Sequence, residues 1–166
     1  MNIGRCFHRG SEPDNEMTGK EFIRKDRILE YLSNIDRQIE DIRSIPVPDK
    51  NFFLDKKNSI QIKALKYSLA CAIQDVTRIC VHITSALSLW KVRESETEAI
   101  LALSEAKIIP KEFAEKIKGM PAFRNRIIHD YLPNEFDAVK LYENIQRLDE
   151  FKKFSKHILE WISKNT

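Results

Sequence analysis

No uninterrupted apolar run in this sequence approaches the ~20 residues that a helix needs to cross a bilayer, which excludes a helical membrane span. Glycine is nearly confined to one end. Three of the four glycines, Gly4, Gly10 and Gly19, fall with Pro13 in the first nineteen residues, so 1–19 is expected to be a flexible extension ahead of one domain at 20–166. Cysteine is scarce: Cys6, Cys71 and Cys80 are an odd number at no metal-ligand spacing, which excludes a disulfide scaffold and points to reduced thiols. No cluster of His, Cys, Asp and Glu has metal-site spacing, and neither a metal nor another cofactor is expected. An excess of one charge is missing too. The 28 basic and 25 acidic residues leave +3, a weaker bias than the dense basic stripe of a dedicated nucleic-acid binder. The N-terminus lacks the apolar core of a secretion signal, so a cytoplasmic location is expected.

What is present is helical pattern. Hydrophobic residues make up 42% and charged residues 32%, a mix that suits a helical domain. Ile28, Leu32, Ile35, Ile39 and Ile42 alternate spacings of four and three, which predicts an amphipathic helix over 20–45, ended by Pro46 and Pro48. A longer helix over 54–91 carries a wide apolar face, including Leu65, Leu69, Ile73, Val76, Ile79 and Ile83, and is expected at the centre of a bundle. Shorter helices follow at 95–107 and 110–118, the second started by Pro110, with Gly119 as a stop. A motif helix begins at Met120 and is closed by Pro133. A last helix over 135–163 directs Val139, Tyr142, Ile145, Leu148, Phe151, Ile158 and Ile162 inward. Amphipathic helices on short connections bury their stripes as an all-α, antiparallel up-and-down bundle of four to five helices.

The chemistry is concentrated between Arg124 and Tyr131, in the run Arg-Asn-Arg-Ile-Ile-His-Asp-Tyr. On one helix with Arg124 set at 0°, Asn125 lies near 100°, His129 near 140° and Tyr131 near 340°, because each residue turns the helix by about 100°. Phe123, Ile127 and Ile128 form the apolar face expected to hold the helix to its own bundle, and Arg126 and Asp130 share a solvated direction as an ion pair. His129 is suited to moving a proton near neutrality, since an ordinary imidazole titrates near ~6.5. Arg124 offers a permanent, forked donor for phosphate oxygens. Asn125 is a candidate to bond the phosphate or to fix the imidazole tautomer. Arg124 and His129 diverge by about 140°, so one helix does not easily aim both at one phosphate, whereas two copies across a twofold axis can share a cleft. Taken singly, each residue has a plainer reading. An Arg or Tyr on a helix is ordinarily a surface pair or an edge packer, and His82, seven residues after Asp75, reads as a partly buried helix histidine bonded locally.

The order Arg124-Asn125, three residues, His129, one residue, Tyr131, with Phe123 before it and Leu132-Pro133 after it, resembles the signature of HEPN-domain proteins, specifically the HepT toxins of MNT/HepT toxin-antitoxin systems. The resemblance covers roughly Lys20 to the C-terminus. It implies a HEPN-like helical bundle, a homodimer with paired motifs lining a cleft, and metal-independent cleavage of RNA by Arg124 and His129 with Asn125. It also implies that Tyr131 accepts adenylate from a separate MNT-type nucleotidyltransferase antitoxin, whose glycine-serine signature and paired acidic residues this chain lacks. Arg126 and Lys118 are candidate contacts to RNA, within a basic flank that solvated helix charges would equally explain. The rival expectation is a non-catalytic HEPN module that binds nucleotides or recruits a nucleotidyltransferase.

Overall fold

A computed structural model describes residues 19–89, 95–129 and 135–165. Among them are seven α-helices, three short 3-10 helices and no strand, the all-α class expected. No described helix is long and apolar enough to cross a membrane.

Helix α1 (Lys25–Ser44) buries Ile28, Leu32, Ile35, Ile39 and Ile42, the five positions its periodicity marks. Each fully buried isoleucine stabilises by about 1.5–3 kcal/mol relative to exposure, so this one stripe suffices to dock the helix. Helix α2 (Ser59–Ala86) buries residues around most of its circumference and packs against α1, α3, α5 and α7, the central position expected for it. It begins five residues later than periodicity suggests. Asp49 and Asp55 turn their carboxylates onto the backbone N–H groups of Asn51 and Lys57, so the 54–58 region closes into 3-10 turns instead of helix.

The helix also stops early, at Ala86. Ser88 takes a left-handed φ of 56°, and Leu89 N–H reaches back to Thr84 O at 2.7 Å while Ser88 N–H bonds Ser85 O. That is a Schellman stop built without glycine. Lys107, at φ 58°, ends α3 (Glu96–Glu105) in the same way, through Ile108 N–H to Leu103 O. At its other end α3 opens with a capping box: Ser95 accepts from Glu98 N–H, and the Glu98 carboxylate accepts from Ser95 N–H.

Helix α4 (Lys111–Ile117) follows Pro110, which caps it rather than forming its first turn. The motif lies on α5 (Met120–His129), and the expected continuation to Leu132 falls outside the described residues. The expected single C-terminal helix is two, α6 (Glu135–Gln146) and α7 (Asp149–Asn165). α6 packs on the 3-10 turn at Lys50–Leu54 whereas α7 packs on α1 and α2, and one straight helix cannot serve both neighbours. Consequently α6 buries Asp137, Ala138 and Leu141, while Val139, Tyr142 and Ile145 are only half-buried. Gly19 also departs from expectation, since it starts a 3-10 turn (Gly19–Phe22) against the end of α2. A Cβ there would sit 2.3 Å from Ala86 O, so the packed domain already includes residue 19.

Candidate active site on the motif helix

Helix α5 lies against α2 and α3 through Pro121, Arg124 and Ile127, all buried. An arginine is an unusual member of such a face, because a guanidinium is costly to remove from water unless every donor is met. Here they are. Nη1 donates to Gln74 Oε1 at 3.0 Å and to Glu96 Oε1 at 3.1 Å, with Thr77 Oγ1 more distant at 3.5 Å. Nη2 donates to Glu96 Oε2 at 2.8 Å, and Nε and Nη2 share Asn125 Oδ1 at 3.2 and 2.8 Å. The Arg124 side chain is 10% exposed and that of Glu96 32%, so the ion pair is largely shielded from solvent. Four side chains from three helices therefore fix the plane of one guanidinium.

Gln74, Thr77 and Glu96 were not singled out by the motif. The available signals were two polar residues three apart within the apolar face of α2, and a carboxylate in the first turn behind a Ser cap. Asn125 is exposed and bonded to Arg124, which gives it an arginine partner in place of the imidazole contact considered above. His129 is the last residue of α5 and is exposed. Tyr131, the expected neighbour of Arg124, lies outside the described residues, as does Asp130. Arg126 is half exposed and pairs with Asp137 of α6 at 2.7 Å, over the ring of Phe136; the expected pair with Asp130 lies outside the described residues. Lys118 pairs with Glu115 one turn back.

Ile128 corrects the helical-wheel reading: it is 55% exposed rather than packed on its own bundle. It borders a groove of about 670 Å³ between the 3-10 turns, the first half of α2 and α5, walled by Leu54, Ile62, Tyr67 and Ala70. Arg124 and Gln74 lie in its lining, and Lys56, Lys63 and Lys66 add basic groups. Among the described residues no cluster of His, Cys, Asp and Glu is arranged to hold a metal ion.

His82 is bonded across the fold rather than locally: its Nε2 accepts the backbone N–H of Arg24, 3.0 Å away at the start of α1. Burial, then the nearby Arg27 and Arg24, push its pKa down. Asp75 is buried and bonded to Arg78 at 3.0 Å, and burial nevertheless raises its pKa.

Residues 35–158 match the family described as Ribonuclease HepT-like. No functionally curated protein matches the chain. Among solved structures, a variant MntA–HpeT toxin–antitoxin complex aligns with a TM-score of 0.69 at 21% identity, covering 82% of this chain and 99% of that one. A tri-AMPylated Shewanella oneidensis HEPN toxin in complex with its MNT antitoxin aligns at 0.67 and 21% identity, covering 82% and 99%. The Bacillus subtilis YutE, a cytosolic protein of unknown function, aligns at 0.67 and 14% identity, covering 86% and 93%. At these identities the structural likenesses establish the fold.

Proposed function

The chain belongs to the HepT-like ribonuclease family, and from that membership we propose that it is a metal-independent endoribonuclease, the toxin of a toxin–antitoxin pair neutralised by an MNT-type nucleotidyltransferase. The observation that carries the reading is the Arg124 network, in which Gln74, Glu96 and Asn125 hold a guanidinium in one plane on the same helix as the exposed His129. A module that merely binds a partner has no use for so costly a preorganised cation, which favours the enzyme over the adaptor.

Cleavage without metal moves a proton from the ribose 2′-OH, drives the 2′-oxygen onto phosphorus, and returns a proton to the departing 5′-oxygen. Histidine serves both transfers, His129 of one protomer as base and that of its partner as acid. Arg124 stabilises the charge that accumulates on the phosphorane. The twofold cleft follows from the angular divergence of Arg124 and His129, and the exposed apolar surface at Ile128, Tyr67 and Leu54 beside the motif supports such a pairing. Arg126 and Lys118 contact the RNA backbone as secondary groups. Tyr131 accepts adenylate from the antitoxin, which adds negative charge where RNA phosphate binds and so suppresses cleavage.

One experiment tests both halves. Purified protein is incubated with single-stranded RNA in excess EDTA, before and after treatment with the cognate nucleotidyltransferase and ATP, and its intact mass is recorded. Cleavage to 2′,3′-cyclic phosphate ends is expected, lost in His129→Ala and suppressed by an adenylate mass increment that is absent from Tyr131→Phe. A requirement for magnesium, or full activity in His129→Ala, would remove the mechanism; an increment persisting in Tyr131→Phe would move the modification elsewhere.

A further inference from the structure

The geometry points to a division of labour around Arg124: Glu96 is its positioning residue, and Asn125 is a placeholder on the Nε–Nη2 edge that an RNA phosphate takes over. This inference rests on the RNA-cleaving reading above.

A guanidinium has five N–H bonds. In this chain the end-on pair, one from Nη1 and one from Nη2, goes to the two oxygens of Glu96. The other Nη1 hydrogen goes to Gln74. The Nε hydrogen and the remaining Nη2 hydrogen converge on the single Oδ1 of Asn125. No donor is left over, so a phosphate reaches Arg124 only by exchanging with one of these acceptors.

The acceptors differ in what their departure costs. Thr77, 1% exposed, lies on the core-facing side of α2 out of a phosphate's reach, and Gln74, half-buried at the groove wall, holds one Nη1 hydrogen only, so displacing it opens one donor where displacing Asn125 opens two. Glu96 is an anion bonded through both oxygens, and separating it from Arg124 strands two opposite charges in a shielded setting. Asn125 is neutral, stands on the exposed side of α5, and offers one oxygen to two donors. Phosphate oxygens replace it with two charge-assisted bonds, one per donor, in the side-on fork geometry that arginine presents to oxyanions. Glu96 remains behind the guanidinium and sets its plane. Because the carboxylate also offsets the arginine charge, the pair attracts the ground-state phosphate less than a free cation would, and responds most to the extra charge that develops in the transition state.

The test separates binding from turnover. Binding is measured by fluorescence anisotropy with a non-cleavable 2′-O-methyl oligoribonucleotide, and turnover with the corresponding RNA. Asn125→Ala frees the edge and is expected to tighten binding by about threefold, the equivalent of one neutral hydrogen bond no longer competed for. Asn125→Asp places an anion there and weakens binding by about tenfold or more. Glu96→Gln keeps or tightens binding while kcat falls by about tenfold or more, as expected when a transition-state donor is misaimed. Glu96→Asp restores the charge at shorter reach and gives an intermediate rate. Weaker binding in Asn125→Ala would make Asn125 a phosphate ligand and overturn the placeholder; wild-type kcat in Glu96→Gln would overturn the positioning role. Should Glu96→Gln fail to fold by circular dichroism, Glu96→Asp and the Asn125 pair decide. If the wild-type chain binds the oligonucleotide but cuts no RNA, the proposed activity falls, and the Asn125 variants still decide which edge of Arg124 meets phosphate.

Discussion

Arg124 is 8% exposed as a residue, an environment in which an arginine persists only because its donors are matched one for one. Its removal orphans the Glu96 carboxylate and the Gln74 amide together. Arg124→Ala is therefore expected to lower unfolding free energy by about 3 kcal/mol, the usual scale for breaking one side of a shielded ion pair. His129→Ala, at an exposed helix end, should change it by less than about 0.5 kcal/mol. Urea denaturation of the two variants beside wild type measures both. Equal stability in all three would show that the network contributes nothing to the fold. The contrast also bears on assays of the proposed cleavage, because lost activity in the Arg124 variant would mix chemistry with stability, whereas the His129 variant would isolate the proposed proton transfer.

Helix α1 has no side-chain cap of its own at Arg24, and the imidazole of His82 takes that place from α2. The bond requires a lone pair on Nε2, so a protonated His82 cannot accept it. Burial is the main cause that lowers its pKa; Arg27 and Arg24 add to it and Asp26 opposes. A histidine whose folded pKa lies below its unfolded value binds fewer protons when folded, so its contribution is complete above the ordinary value near ~6.5 and is lost as pH falls below it. Asp75 has the opposite sign, since burial raises its carboxyl, and its effect belongs to the more acidic carboxylate range. The thermal midpoint is expected to drop between pH 7.5 and 5.5, and to drop less in His82→Gln, where an amide oxygen can accept the Arg24 N–H at either pH. Equal pH sensitivity in the two proteins would remove His82 as the cause.

For the molecule as a whole, the unmatched feature is apolar surface beside the motif. Tyr67 is 69% exposed, Ile128 55% and Leu54 42%, around a groove that runs up to Arg124. Apolar surface of this kind marks an interaction site, and it suits the twofold pairing proposed above. Light scattering should give twice 19.5 kDa. Ile128→Glu should shift the protein toward monomer and abolish RNA cleavage while His129 is intact. A monomeric Ile128→Glu that cleaves at the wild-type rate would mean that one copy suffices.

The helical class, the central place of α2 and the buried stripe of α1 were legible in the amino-acid order, because a helix repeats every 3.6 residues and burial on one face writes that period into the sequence. The capping box at Ser95 and Glu98 is equally local. The stop at Ser88 was not legible, since it adopts a left-handed φ without the glycine that ordinarily announces one, whereas the end of α3 falls within two residues of the expected 107. Nor was the break between α6 and α7, which arises from two different packing partners rather than from a proline or glycine. At the candidate site the sequence singled out Arg124, Asn125 and His129 by their spacing, and wrongly turned Ile128 inward. Only the tertiary structure brought Gln74 and Glu96, 50 and 28 residues away in the chain, to Arg124. Periodicity records which way a residue faces on its own helix; the partner it meets is decided by how separate helices pack, and a buried charge is tolerated only where that packing supplies every acceptor.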